Sequence, residues 1–495
     1  MILKPIKLVI VGAGIAGLSA AVYARKSGFQ TLVLEKNTVP GGLSTSWRRK
    51  GYTIEGGIHW LTGSSPRLPH HKIWKEIGAL QDNNPVYVKD PLYTLMGRKR
   101  RLSLYRDLDR TFKELAEAAP EDIRPLRRLV KHIRSLEHFH APIADIRGLK
   151  AKYPSKASMK DVFKMFPAFL VLPHLMRRTI GDYLRSFKNN DLRTLLGSFI
   201  NHEQNALSLV YTLSSYMVGD GGYPKGGSLV MAGNIADTVT SLGGEILYNK
   251  SVTRIVVEDG TVKGVQAGEE FFPADAVIVS PDARMVIDNM FDEPVQEPWA
   301  EKMRQGLDVD QCLIMSAGIK ADLSSYPRNM VFSLDKPFEY SGTAADVLMV
   351  NNYAADSYAP EGCTAVTSLL FGDIYDFWKK AKDDGSYREK KKDICERYVA
   401  LIESLIPEAK GKVEMTDLAT PMTLQRYCGT HKGSFMSLWK PSGFPPSVPV
   451  KYHKAKGLYF AGQRTGYSGG LPVAALSGRT AVQHLCRDND VVFVG

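Results

Sequence analysis

Cysteine is scarce in this chain: five residues in 495. Cys312, Cys363, Cys395, Cys428 and Cys486 are scattered and odd in number, and no two stand as CxxC, so neither a disulfide frame nor a cysteine zinc site is expected. They read as reduced packing residues of a cytoplasmic protein. HExxH is missing as well. His70 and His71, like His138 and His140, sit in charged, surface-like text, so no metal site is expected from them. No apolar run approaches the roughly 20 residues of a membrane span. The first strand begins at Lys7, which leaves no room for a signal or transit peptide after Met1. Repeats and low-complexity stretches are not evident. An apolar share of 44% permits a large core, and the length suggests two or three domains.

Acidic residues thin out in one segment. The net charge is +12, and between Arg147 and Lys188 ten Lys or Arg face only Asp161 and Asp182, a local charge of +8. The middle of that segment, Val162 to Met176, is apolar and aromatic, and Pro167 and Pro173 are expected to break any long helix. Such a stretch can sit in the headgroup region of an anionic bilayer. It can equally be a helical cap over a pocket, its basic residues merely solvated, and the two readings are compatible. Nothing resembling a nucleic-acid recognition module accompanies the charge, so nucleic acid is not an expected partner.

What is present starts at Lys7-Leu-Val-Ile-Val-Gly12-Ala-Gly14-Ile-Ala-Gly17, where a buried strand runs into a three-glycine turn. Gly12 permits the turn, Gly14 lets the backbone approach a pyrophosphate, and Gly17 lets the next helix pack on the sheet. A helix from Leu18 to Ser27, a strand from Thr31 to Leu34 and an acid, Glu35, follow in order. The helix N-terminus would face the phosphates. Glu35 would accept from a ribose hydroxyl, which fits FAD or NAD better than NADP.

Further along, Tyr93 to Tyr105 reads as a hairpin within helical, charged text from about 72 to 199. The strand–helix alternation then returns. Ser228 to Leu242 reads as a helix, Val252 to Glu258 and Ala276 to Ser280 as strands, and Asp259-Gly260 as a hairpin turn. Gly457 to Gly462 is a last buried strand and Leu471 to Cys486 a last helix. The expected fold class is therefore α/β with an α+β substrate domain. A discontinuous Rossmann-type cofactor domain takes 1–72, 222–288 and 455–495. An inserted substrate domain of mixed sheet, with the basic helical cap at about 147–188, takes 73–221 and 289–454.

One glycine turn suffices for NAD; this chain has more clusters, at Gly41-Gly42, Gly56-Gly57 and Gly462 to Gly470. With these the chain resembles, over essentially its whole length, FAD-dependent oxidoreductases of the phytoene desaturase, carotenoid isomerase and retinol saturase group within the amine-oxidase-like flavoproteins. The resemblance implies FAD as cofactor. It places the pyrophosphate loop at Gly12, Ala13, Gly14, Ile15, Ala16 and Gly17, and the ribose acid at Glu35 with Lys36 beside it. Gly41, Gly42, Leu43 and Ser44 match the paired-glycine loop, and Val252 the main chain that holds the adenine. Gly462 and Gln463, with Gly470, Leu471, Pro472 and Val473, match the closing motif at the ribityl chain and flavin ring, where a second helix N-terminus would stabilise a reduced flavin. Gly57, Ile58 and His59, followed by Trp60, lie closer to the saturase pattern than to the Asp-containing desaturase one. His59 would then be a hydrogen-bond donor or proton source at the flavin, against the alternative of a purely structural histidine.

Gly226 and Gly227 are expected to form a close turn at a helix start. Arg426 would either grip a substrate carboxylate or anchor a loop through an ion pair. The implied activity is saturation, desaturation or isomerisation at carbon–carbon double bonds of a polyene, isoprenoid or retinoid-like substrate. No second complete GxGxxG is present, so any NAD(P)H that reduces the flavin would be a diffusible visitor. The alternatives are a flavin amine oxidase, with Tyr427 and Trp439 as candidates for an aromatic cage, and a Rab-escort or GDP-dissociation-inhibitor type of lipid-binding protein.

Overall fold

The computed structural model describes residues 5–98, 100–140, 143–156 and 158–495. A five-stranded parallel sheet runs in the order Leu458–Phe460, Ala276–Val279, Lys7–Val11, Gln30–Leu34, Glu245–Leu247. Its central strands are continuous apolar runs because both faces are covered: Leu8 and Ile10 pack into one cluster, Val9 and Val11 into another. The helices Ile15–Lys26, Gly227–Ser241 and Leu471–Asp488 supply part of the cover. The first and last of these are pinned together by Ser19 Oγ, which donates to the Ala475 carbonyl at 2.7 Å. Strand Arg254–Glu258 begins two residues later than the sequence pattern suggests and turns through Asp259 (φ 47°) and Gly260 (φ 67°) into Thr261–Ala267. That double left-handed pair is the hairpin geometry an Asp-Gly dipeptide favours.

The other half is built on a seven-stranded sheet in the order Val413–Ala419, Cys312–Ile319, Thr364–Phe371, Thr343–Asn352, Asn329–Tyr340, Tyr93–Met96, Arg101–Leu104. Strand Cys312–Ile319 is buried along its entire length. Alternation explains how: Cys312 and Ile314 face the helices of the cap side, while Leu313 and Met315 face the side covered by Tyr387–Leu405.

Cap helices lie over the first of those faces. Phe166–Met176 runs on through Pro173, contrary to the expectation that this proline breaks it. Pro167 stands in the first turn, where its missing N–H would have found no partner anyway. Pro173 and Phe169 both lie on the exposed side of the helix, where the loss of one backbone donor is least costly. Among the described residues no helix is long and apolar enough to cross a membrane.

Candidate functional site

The fingerprint strand ends at Val11 and turns on Gly12 (φ +91°), and the helix behind it leaves no room for a side chain at Gly17. A Cβ there would stand 2.0 Å from the Gly12 carbonyl oxygen and 2.7 Å from Ser280 Oγ. Gly14 is the opposite case. Nothing lies within 4 Å of where its Cβ would be, because that direction opens into a cavity. The second glycine loop is braced against the first: the Gly41 amide donates to the Ala13 carbonyl at 2.8 Å. Glu35 closes this end. Its Oε2 accepts from the Ala13 amide at 2.7 Å and its Oε1 from the Asn37 amide at 2.8 Å, which fixes the carboxylate at the cavity wall.

Two helix N-termini meet the same cavity without side-chain caps. Helix Ile15–Lys26 starts after Gly14 and helix Leu471–Asp488 after Gly470, and neither carries an acidic residue in its first turn. Their first amides and positive dipole ends are thus left for an external anion. Ser44 Oγ, both ring nitrogens of His59, His140 Nδ1 and Thr430 Oγ1 are also buried without hydrogen-bond partners among the described residues, and all four residues line this cavity. A ligand rich in phosphate, hydroxyl and ring heteroatoms fits such a wall; a purely apolar one would leave these groups unpaired.

Glu55, fully buried, holds the turn that carries His59. Its Oε1 accepts from the amides of Gly57 (2.8 Å) and Ile58 (3.1 Å), and its Oε2 from the Ser228 amide (2.9 Å) and the Tyr223 hydroxyl (3.1 Å). Gly227, at φ +66°, makes that convergence possible, since a Cβ there would lie 2.1 Å from Glu55 Oε2. The expected close turn at Gly226-Gly227 is therefore where a buried carboxylate ties the flanking turn to helix Gly227–Ser241. Behind His59, Lys89 is buried and donates from Nζ to the His59 carbonyl at 2.8 Å. Burial above all, then the positive charges of Lys89 and Arg328, push the His59 imidazole down to about 3. It is neutral at neutral pH, so it can donate or accept a hydrogen bond; it is not a stored proton.

The cavity has a volume of about 1060 Å³ and continues past the glycines into an apolar chamber lined by Phe139, Met165, Leu172, Phe199, Leu369 and Phe435, among others. Of the residues singled out from sequence, Gly12, Gly14, Ile15, Ala16, Glu35, Lys36, Gly41, Gly42, Leu43 and Ser44 line it. So do Gly57, His59, Val252, Gly462, Gln463, Gly470, Leu471, Pro472 and Val473. Ala13, Gly17 and Ile58 stand one layer behind the wall.

Other expectations need correction. His70 and His140 are not surface residues: both line the cavity, and burial pulls His70 down to about 4. Tyr427 sits at the Glu35 end, where its carbonyl accepts from Asn37 Nδ2 at 3.0 Å, whereas Trp439 packs on Phe444 beside Asn205. Both line the cavity, but no ring contact joins them among the described residues. Arg426 is exposed and stacks on the Tyr427 ring at 4.6 Å instead of entering the cavity. Arg464 was missed by sequence reasoning. It lines the cavity with its guanidinium buried, pairs with Asp282, and donates to Ser437 Oγ and Ser434 Oγ, each at 3.0 Å.

Residues 15–486 match the model of the flavin containing amine oxidoreductases. The chain belongs to this family. It is an FAD-dependent oxidoreductase with FAD as its cofactor. The chloroplastic prolycopene isomerase of Daucus carota is 25% identical over 97% of this chain and 80% of that protein. The all-trans-retinol 13,14-reductase of Danio rerio is 25% identical over 86% of this chain and 76% of that one. In fold, cyclohexylamine oxidase from Brevibacterium oxydans superposes with a TM-score of 0.61, covering 98% of this chain and 100% of the other at 16% identity.

Proposed function

We propose that the protein acts on carbon–carbon double bonds of a polyene, isoprenoid or retinoid-like substrate by saturation, desaturation or isomerisation. One observation carries the reading: the apolar chamber and the glycine-lined wall form a single cavity, so a long hydrocarbon can lie where the cofactor's ring end is held. When bound, FAD supplies a hydride donor or acceptor at its ring. The residues around it divide the remaining work. Gly14, Gly41 and Gly42 let the main chain approach the pyrophosphate, Glu35 takes the ribose, and Val252 lies at the adenine end. The uncapped amides that follow Gly470 stabilise negative charge at the opposite end. His59, neutral and with its ring nitrogens unpartnered among the described residues, orients the ring or the substrate by a hydrogen bond.

The cap offers a route for an insoluble substrate. Met165, Leu172 and Met176 face the chamber, while Met159, Phe163, Phe166 and Leu170 of the same segment are 61 to 73% exposed beside Lys160, Lys164, Arg177 and Arg178. Apolar side chains flanked by basic ones suit the surface of an anionic bilayer. A diffusible NAD(P)H or other carrier would have to reach the flavin through the mouth of this cavity.

The test is anaerobic photoreduction of the purified holoenzyme, followed by retinoids, carotenoids, unsaturated fatty acids and amines in turn. Reoxidation of the flavin, or isomerisation, by a polyene is expected. Reduction of the oxidised enzyme by an amine, with every polyene inert, would overturn the proposal in favour of an amine oxidase.

A further inference from the structure

The apolar chamber contains one carboxyl group that nothing in the reaction above uses. Asp310, on the short strand Val309–Asp310 beside Met436–Ser437, is 2% exposed and lines the cavity among Met349, Leu369, Phe371 and Phe435. No cation pairs with it among the described residues. Instead, Asn201 Nδ2 donates to its Oδ1 at 2.8 Å and Gln204 Nε2 to its Oδ2 at 3.3 Å. Both amides are themselves held in that sense. The Asn201 carbonyl oxygen accepts from the Glu203 amide at 3.0 Å, and the Gln204 carbonyl oxygen from the Trp439 amide at 2.9 Å, so each presents its NH₂ to the carboxyl. This is a built arrangement: two oriented donors fix one acid at a place where Met349, Leu369, Phe371 and Phe435 also line the cavity.

Burying a carboxyl with only two neutral donors is costly unless a ligand completes its hydrogen bonds. Burial raises the Asp310 carboxyl to about 6. Burial disfavours its charged form, which weakens an ion pair with an ammonium group, whereas a hydroxyl can donate to the ionised carboxylate or accept from the protonated one. We infer that Asp310, oriented by Asn201 and Gln204, is a specificity-determining residue that recognises a hydroxyl oxygen on an otherwise hydrocarbon substrate. The inference rests on the proposed use of the chamber for an apolar substrate and narrows it to oxygenated members of that class.

The test measures dissociation constants with the oxidised holoenzyme, read from perturbation of the flavin spectrum. Three probes share one skeleton: all-trans-retinol, its amine counterpart and the hydrocarbon with methyl in place of hydroxymethyl. Dodecanol and dodecane form a second pair without a polyene. The parent enzyme should bind each alcohol about tenfold more tightly than its hydrocarbon, the ratio one charge-assisted hydrogen bond confers. In Asp310→Leu that ratio should fall to about one, and in Asp310→Asn to an intermediate value, with flavin content and melting temperature showing that the variants are folded. An unchanged ratio in Asp310→Leu, hydrocarbon binding equal to alcohol binding in the parent, or tighter binding of the amine would each overturn the assignment. Failure of all three retinoids with the dodecanol preference intact would sink the polyene reading and leave the role of Asp310 standing.

Discussion

The two halves of the cavity are walled by different materials. At the end proposed for the cofactor the wall is mostly backbone: Gly12, Gly14, Gly41, Gly42 and two helix N-termini, set by turns a few residues long. In the chamber proposed for the substrate it is side chain: Phe139, Leu172, Phe199, Leu369 and Phe435, brought together from the cap, the seven-stranded sheet and a C-terminal loop. A backbone wall leaves little room for substitution: a Cβ at Gly41 would stand 2.3 Å from the Ser44 carbonyl oxygen, and one at Gly14 would meet no protein atom but would intrude on the cavity. A side-chain wall can be redrawn residue by residue, so one cradle can serve many substrates.

The seam between the halves should break first and hardest. Arg464 and Asp282 are each about 1% exposed in their side chains and join the parallel sheet's exit loop to the segment carrying Ser434 and Ser437. Arg464→Met leaves Asp282 buried without its cation and should cost about 3–5 kcal/mol in chemical denaturation, since breaking a buried pair strands a charge. A loss below 1 kcal/mol would mean that the pair does not hold the seam.

Next comes the backbone wall itself, where two glycines in one turn should behave oppositely. Gly17→Ala pushes a methyl group into the Gly12 carbonyl and should destabilise the protein by about 1–3 kcal/mol even without FAD. Gly14→Val points into open cavity, so the flavin-free protein should keep its stability while the purified protein loses its yellow colour. Retained flavin in Gly14→Val would contradict the placement of the pyrophosphate.

The halves should also differ in their response to pH. His59 is depressed in the folded protein, to about 3 from an ordinary 6.5, so below 6.5 the unfolded chain binds a proton that the native state refuses. Its burial therefore destabilises progressively as pH falls from about 6.5 towards 4. Asp310 is raised, to about 6 from 3.8, so the native state holds a proton the unfolded chain has lost, and its burial destabilises progressively as pH rises from about 4 to 6. Each slope is at most about 1.4 kcal/mol per pH unit. Denaturation at pH 4.5 and 6 should show His59→Phe gaining on the parent at the lower pH and Asp310→Asn at the higher; slopes of equal sign would refute one of the two assignments.

The smallest effect on the fold is expected at the cap. Phe163→Ser with Leu170→Ser changes exposed residues, so stability should move by less than about 0.5 kcal/mol. Co-sedimentation with vesicles containing anionic lipid should nevertheless drop several-fold. Equal binding by parent and variant would remove the membrane-facing role of this segment.

The contrast between walls also explains what the sequence disclosed. Gly12, Gly17, Glu35 and the strand before them are local requirements of a strand–turn–helix unit, so their spacing is written in consecutive residues. Arg464 and Asp282 lie 182 positions apart and Asn201 and Asp310 109 apart, and neither pair has a pattern of its own. His70 and His140 looked exposed because their neighbours are charged; tertiary packing turned their rings inward. Glu55 had a faint local signal, a carboxylate immediately before two glycines in apolar text. Pro173 misled because the loss of one backbone donor is least costly on the exposed side of a helix.

The order of the sheet has a consequence for how the protein is made. Its edge strand Leu458–Phe460 and the helix that follows lie 447 residues beyond Val11, yet they complete the wall opened by the first glycine turn. A ribosome adding about 5–20 residues per second needs roughly 20–90 s to cover that interval. Throughout it the nascent chain holds one side of a dinucleotide site and lacks the other. Flavin incorporation is accordingly a late event in synthesis, and a chain that stalls inside the substrate half emerges colourless.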